Sequence, residues 1–244
     1  MWGMANPARI PLRVLALVGV TVLLATVATI AGWGAPLEGA FWFWLAVCFV
    51  GELVWLRLPV GQATVSMASC FTFAALLLLP RGQAMLVAAV SSVVAESLVM
   101  RKPPLRALFN AGQGALAVGA ASAVLAGLAP GVEVRELVYG ARLLPLVAAA
   151  TVYFVVNTGS VALAIALSER VPIVPAWLRN FGQLRHLLIN TALYTLGALM
   201  ASHYANNGMI GTTLVTTPLV FALVWARQAR HRATPLPDTE RRAA

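Results

Sequence analysis

Long apolar runs joined by short basic turns constrain this chain more than any other feature. The runs cover about 12–33, 38–56, 63–80, 83–100, 106–129, 143–168, 186–204 and 208–227. Each approaches the roughly 18–20 mostly apolar residues that a transmembrane helix needs. Hydrophobic residues make up 60% of the 244 and charged residues only 10%, whereas a soluble domain carries about 25% charged residues. The expected fold is an all-α polytopic transmembrane bundle of eight spans. Six is the alternative count, if the first or last pair is misread. Residues 1–226 form one domain, because no linker is long enough to divide it. Residues 227–244 form a short basic cytoplasmic tail expected to be disordered.

Arg9 and Arg13 flank the start of the first run, as in a signal peptide. The run exceeds the usual apolar region of about 7–15 residues and no A-x-A site follows, so an uncleaved span is expected. Trp42 and Trp44 at one end of the second run, and Trp55 at the other, are placed as interfacial anchors. Between 169 and 185, Trp177 to Arg185 alternates apolar and polar residues at helical spacing, as an interfacial helix does.

Basic residues set the orientation. With the N-terminus inside, 14 of the 17 Lys and Arg residues fall on the cytoplasmic side, leaving Arg81, Arg135 and Arg142 outside. That bias places both termini in the cytoplasm of an inner-membrane protein. The net charge of +9 therefore meets anionic headgroups rather than nucleic acid.

The stretch AESLVMRKPPLRALFNAGQ, residues 95–113, holds the densest chemistry. A buried acid, Glu96, ends one apolar run. A basic turn with Pro103 and Pro104 follows, and the next run opens with Asn110 and Gln113. In the expected orientation Glu52, Glu96, Asn110, Gln113 and Asn190 share one depth in the cytoplasmic half, and Asn157 sits deeper. Charged groups at such depth cost about 2.5–3.5 kcal/mol on insertion scales, so they face the bundle and pair. The bland expectation pairs Glu52 with Arg57 and Glu96 with Arg101 at the headgroups. The functional one is a polar pocket for a small molecule or ion. Ala111, Ala115, Gly119 and Ala123 form a small-residue stripe that lets a second helix approach closely.

No catalytic constellation is present. The sequence contains no HExxH, GxSxG or phosphate-loop motif, and no Asp before Asp238. His186, His203 and His231 lie in different segments. Cys48 and Cys70 form no CxxC and read as small buried hydrophobes. The expectation is a non-enzyme with no cofactor and no metal.

Three stretches carry a family likeness: GELVWLRLPVGQATVSMASCFTFAALLLLP, then AESLVMRKPPLRALFNAGQGALA, then VYFVVNTGSVALAIAL. Over residues 50–226 the chain resembles the N-terminal multi-span module of bacterial signalling proteins with a cytoplasmic HD-type phosphodiesterase or GGDEF-type cyclase domain. The resemblance implies a sensory or regulatory membrane module. After Trp225 those proteins continue into the output domain, whereas here only WARQARHRATPLPDTERRAA follows, so no catalytic role carries over. The expectation is a stand-alone relative or a module acting through a cytoplasmic signalling protein. A looser resemblance, to the substrate-binding subunits of energy-coupling-factor vitamin importers, implies instead an ATPase and a transmembrane coupling subunit as partners.

Overall fold

A computed structural model describes residues 11–34, 36–57, 64–140 and 143–233. The described chain is helical apart from one short ribbon. In order it forms α1 (Leu12–Ala31), α2 (Gly39–Leu53), β1 (Trp55–Arg57), β2 (Thr64–Ser66), α3 (Ala68–Leu78), α4 (Arg81–Val94), a π-helical turn (Ala95–Val99), α5 (Pro104–Leu128), α6 (Val134–Tyr139), α7 (Leu143–Glu169), α8 (Ile173–Phe181) and α9 (Leu184–Ala233). Among the described residues, four stretches are long and apolar enough to cross a membrane: α1, α4 with its π turn, α5 and α7. Shorter apolar helices, α2 and α3, accompany them.

The outer faces are greasy. Leu23, Ile30, Leu144, Leu188 and Phe221 are all more than half exposed. A water-soluble surface rarely gathers so much contiguous apolar area, whereas lipid solvates it without penalty. α5 is a central strut, packed against α1, α4 and α7. Val18, Phe109 and Ala164 pack together, which brings the starts of α1 and α5 and the end of α7 to one end of the bundle. Arg13, Arg101, Lys102, Arg106 and Arg170 border that end in sequence. At the opposite end the backbone N–H of Gly82, in the first turn of α4, donates to the carbonyl of Gly32 after α1, at 2.9 Å.

The expected third span, 63–80, departs most from a plain helix. Thr64, Val65 and Ser66 pair antiparallel with Arg57, Leu56 and Trp55, as β-branched residues favour. Only 11 residues remain helical, a length of about 16 Å at 1.5 Å per residue. This short helix is the innermost element: Met67, Ala68 and the run from Cys70 to Leu76 are all buried. It lies in close contact with α2 and α9. Those contacts need glycine, since a Cβ on Gly51 would come 2.5 Å from the Phe71 ring and one on Gly197 2.4 Å from the Cys70 carbonyl oxygen.

Other expectations shift as well. Trp44 is fully buried, 5.4 Å from the Tyr204 ring, so only Trp42 of that pair faces outward. The interfacial helix begins at Ile173 rather than Trp177, because prolines are tolerated before and within a first helical turn. Asn206 and Asn207, between the seventh and eighth expected runs, do not leave the helix. α9 runs through them and breaks only at Gly208, whose φ of 63° and ψ of −163° belong to glycine's repertoire. α9 also continues to Ala233, into the region expected to be disordered; 234–244 lie outside the described residues. Between the fifth and sixth expected runs lies the short helix α6.

Candidate functional site

The π turn at the end of α4 positions the candidate site. There Met100 N–H donates to the carbonyl of Ala95 at 2.9 Å, five residues back, and Lys102 N–H donates to that of Glu96 at 2.9 Å. Arg101 takes φ of 51°, closing the helix in the left-handed region usually filled by glycine. Pro103 and Pro104 then start α5, where a missing N–H costs nothing. One residue wider than an α-turn, the π turn carries Glu96 on its buried side, and such turns recur at functional sites.

Glu96 is 5% exposed. Its Oε1 accepts from Lys102 Nζ at 2.5 Å, and Asn110 Nδ2 on α5 lies 2.8 Å from both Oε1 and Oε2. One cation and one amide thus satisfy a carboxylate that would be prohibitively costly to bury alone. Lys102 keeps 27% of its side chain exposed, so the cluster opens toward the basic end of the bundle. The expected pairing with Arg101 is corrected: Arg101 is exposed, and its backbone twist hands the partnership to Lys102.

Gln113, one turn beyond Asn110, is buried, and its Oε1 has no hydrogen-bond partner among the described residues. Glu52 is half-buried near the end of α2, which touches the π turn. Its carboxylate is within electrostatic reach of Cys48 and Tyr153. The side chain of Arg57, its expected partner, lies outside the described residues. Asn157 is half-buried on α7. Asn190 is buried but bonds within α9: its Nδ2 donates to the His186 carbonyl at 2.8 Å, and its Oδ1 accepts from the Tyr194 hydroxyl at 3.3 Å. The structure therefore joins Glu96 and Asn110, places Gln113 one turn further along α5, and commits Asn190 to a separate aromatic region where Phe73 packs against Tyr153 and Tyr194.

Along the small-residue stripe, Ala111 and Ala115 are buried and Met85 of α4 covers Gly119, while Ala123 is exposed. Most of the stripe is occupied by the chain's own helices. Cys48 and Cys70 are buried free thiols; Thr72 Oγ1 approaches Cys48 Sγ at 3.9 Å. Two contacts near the basic end were not expected. Trp177 Nε1 donates to Thr158 Oγ1 at 2.9 Å, and Arg179 pairs with Glu169 at 2.8 Å, pinning α8 to α7. Arg179 at the C-terminal turn of an amphipathic segment was the available signal.

An apolar-faced helical bundle with an internal acid–base–amide cluster fits one class, the membrane-associated helical module. Within that class, residues 13–230 match MASE9, and the chain belongs to this family of membrane-associated sensory domains. No curated protein and no solved structure matches the chain.

Proposed function

We propose that this chain is a non-enzymatic sensing module in the inner membrane of a bacterium, coupled to a cytoplasmic signalling protein of the HD or GGDEF type. The observation that carries the reading is the Glu96–Lys102–Asn110 cluster. It ties the end of α4, the basic turn and the start of α5 through one carboxylate. A cation or a small polar ligand competing for Glu96, Asn110 or the adjacent Gln113 would release that tie. The widened turn would then be free to rewind, altering the surface offered to a partner. Differential affinity for the tied and released states is what such a ligand must have to drive a response.

Eight crossings fit this reading. α1, α4, α5 and α7 supply four. α2 and α3 supply two, each lengthened by a ribbon strand of about 10 Å, and the two limbs of α9 on either side of Gly208 supply the last. Both termini then lie in the cytoplasm, with the basic turns against anionic lipid.

Crosslinked capture from native membranes, through a tag after residue 244, tests the proposal. A retained phosphodiesterase, cyclase or kinase is the expected result. A paired ATPase with a second membrane subunit would contradict sensing and move the chain to the uptake class.

A further inference from the structure

At the end of the bundle opposite Glu96, the two limbs of α9 on either side of the Gly208 break line a half-open pocket of about 260 Å³. Leu196, Leu199, Met200 and Val215 give it apolar walls, and Tyr139 of α6, His203 and Thr212 supply its polar groups. The histidine's tautomer follows from its neighbours. Asn207 Nδ2 lies 3.2 Å from His203 Nδ1 and also 3.2 Å from the His203 carbonyl oxygen. Facing that carbonyl, the Asn207 group must be the donating NH₂, so Nδ1 accepts and the ring proton sits on Nε2. Nε2 is buried and has no hydrogen-bond partner among the described residues. Gly211 leaves room beside it: a Cβ there would stand 3.6 Å from Nε2, and could not form without meeting Asn207 Cβ at 2.5 Å.

We infer that this cavity is a second binding site, for an apolar molecule bearing a carbonyl oxygen. The Nε2–H donates to that carbonyl, and the apolar walls hold the remainder. A cavity of ~150 Å³ takes benzene, so this one accommodates a substituted ring, two small rings or a short acyl chain. An unpaired donor in an apolar site discriminates strongly for the ligand that satisfies it. The carbonyl has two potential sources, a free small molecule or the ester of a membrane lipid.

Benzophenone tests the site, since its ketone is the required acceptor and crosslinks nearby C–H bonds under ultraviolet light. The full chain is labelled in nanodiscs and the adducts are mapped by mass spectrometry. Label concentrated on 196–203 and 212–215 is expected, falling about ten-fold in His203→Leu. A similar fall is expected in Val215→Phe, which fills the mouth from a half-exposed position. Diphenylmethane, the same two rings without the carbonyl, should compete about ten-fold more weakly. Discs of ester lipid and of ether lipid separate the sources: suppression only in ester lipid assigns the lipid carbonyl, and equal labelling assigns a free ligand. Label spread evenly over lipid-facing helices, label unchanged in both variants, or equal competition by diphenylmethane would each overturn the inference.

Discussion

The side-chain nitrogen of Asn110 lies 2.8 Å from both carboxylate oxygens of Glu96, so α5 holds the end of α4 through a single amide. A hydrogen bond to a charged group contributes about 1.5–3 kcal/mol. Asn110→Ala should lower stability by that amount, measured by reversible unfolding in mixed micelles. Asn110→Asp should cost more, because it sets a second carboxylate against the first. Equal stability of the alanine variant and the parent would show that the amide contributes nothing.

Adjacent basic residues should behave in opposite ways. Lys102→Met removes the cation from a buried acid. Breaking a fully buried pair costs about 3–5 kcal/mol, and the partial exposure of Lys102 reduces that to about 1–3 kcal/mol. Arg101→Gly relieves a left-handed backbone and should be neutral or stabilising by up to about 1 kcal/mol. The same unfolding assay distinguishes them, and comparable losses in both would contradict the assignment of Lys102 as partner.

Packing around the short central helix leaves no space for a methyl group at Gly197. A Cβ there would approach the Cys70 carbonyl oxygen to 2.4 Å, so Gly197→Ala should push α9 off α3 at a cost of about 1–3 kcal/mol. Gly159, with open space around its Cβ position, is the control: Gly159→Ala should gain a few tenths to 1 kcal/mol from helix propensity.

The ends of the bundle make a topological prediction. In a background with Cys48 and Cys70 replaced, single cysteines at exposed Arg101 and exposed Tyr139 should react with an impermeant maleimide from opposite sides. Inside-out vesicles should label the first and right-side-out vesicles the second. Labelling of both from one side would overturn the eight-span arrangement.

Helix placement was largely legible because a bilayer allows few solutions: an apolar run must satisfy its backbone internally, and helix is the simplest way. α1, α5 and α7 fall within a few residues of the expected runs. What sequence pattern did not carry was local backbone geometry. The π turn and the left-handed Arg101 choose Lys102 over its neighbour, and no periodicity distinguishes a partner five residues away from one six away. The ribbon at Trp55–Arg57 and Thr64–Ser66 was hidden because β-branched residues are also common in spans. Depth alone groups Asn190 with Glu96, but depth gives no azimuth, and the Asn190 side chain turns back onto α9. Trp44 failed as an anchor for the same reason, because helical phase sends it to the core.

Partner capture compared between the parent and Glu96→Gln tests most directly whether the cluster is a switch. Both chains carry the tag after residue 244 and are crosslinked in native membranes at matched expression, with folding checked by the unfolding assay. The expected result is a signalling enzyme retained by the parent, with retention changed about five-fold or more in the variant, the scale of an ordinary coupling free energy. The same enzyme captured equally by both chains would contradict a switching role for Glu96 and leave its bond to Asn110 as a structural tie.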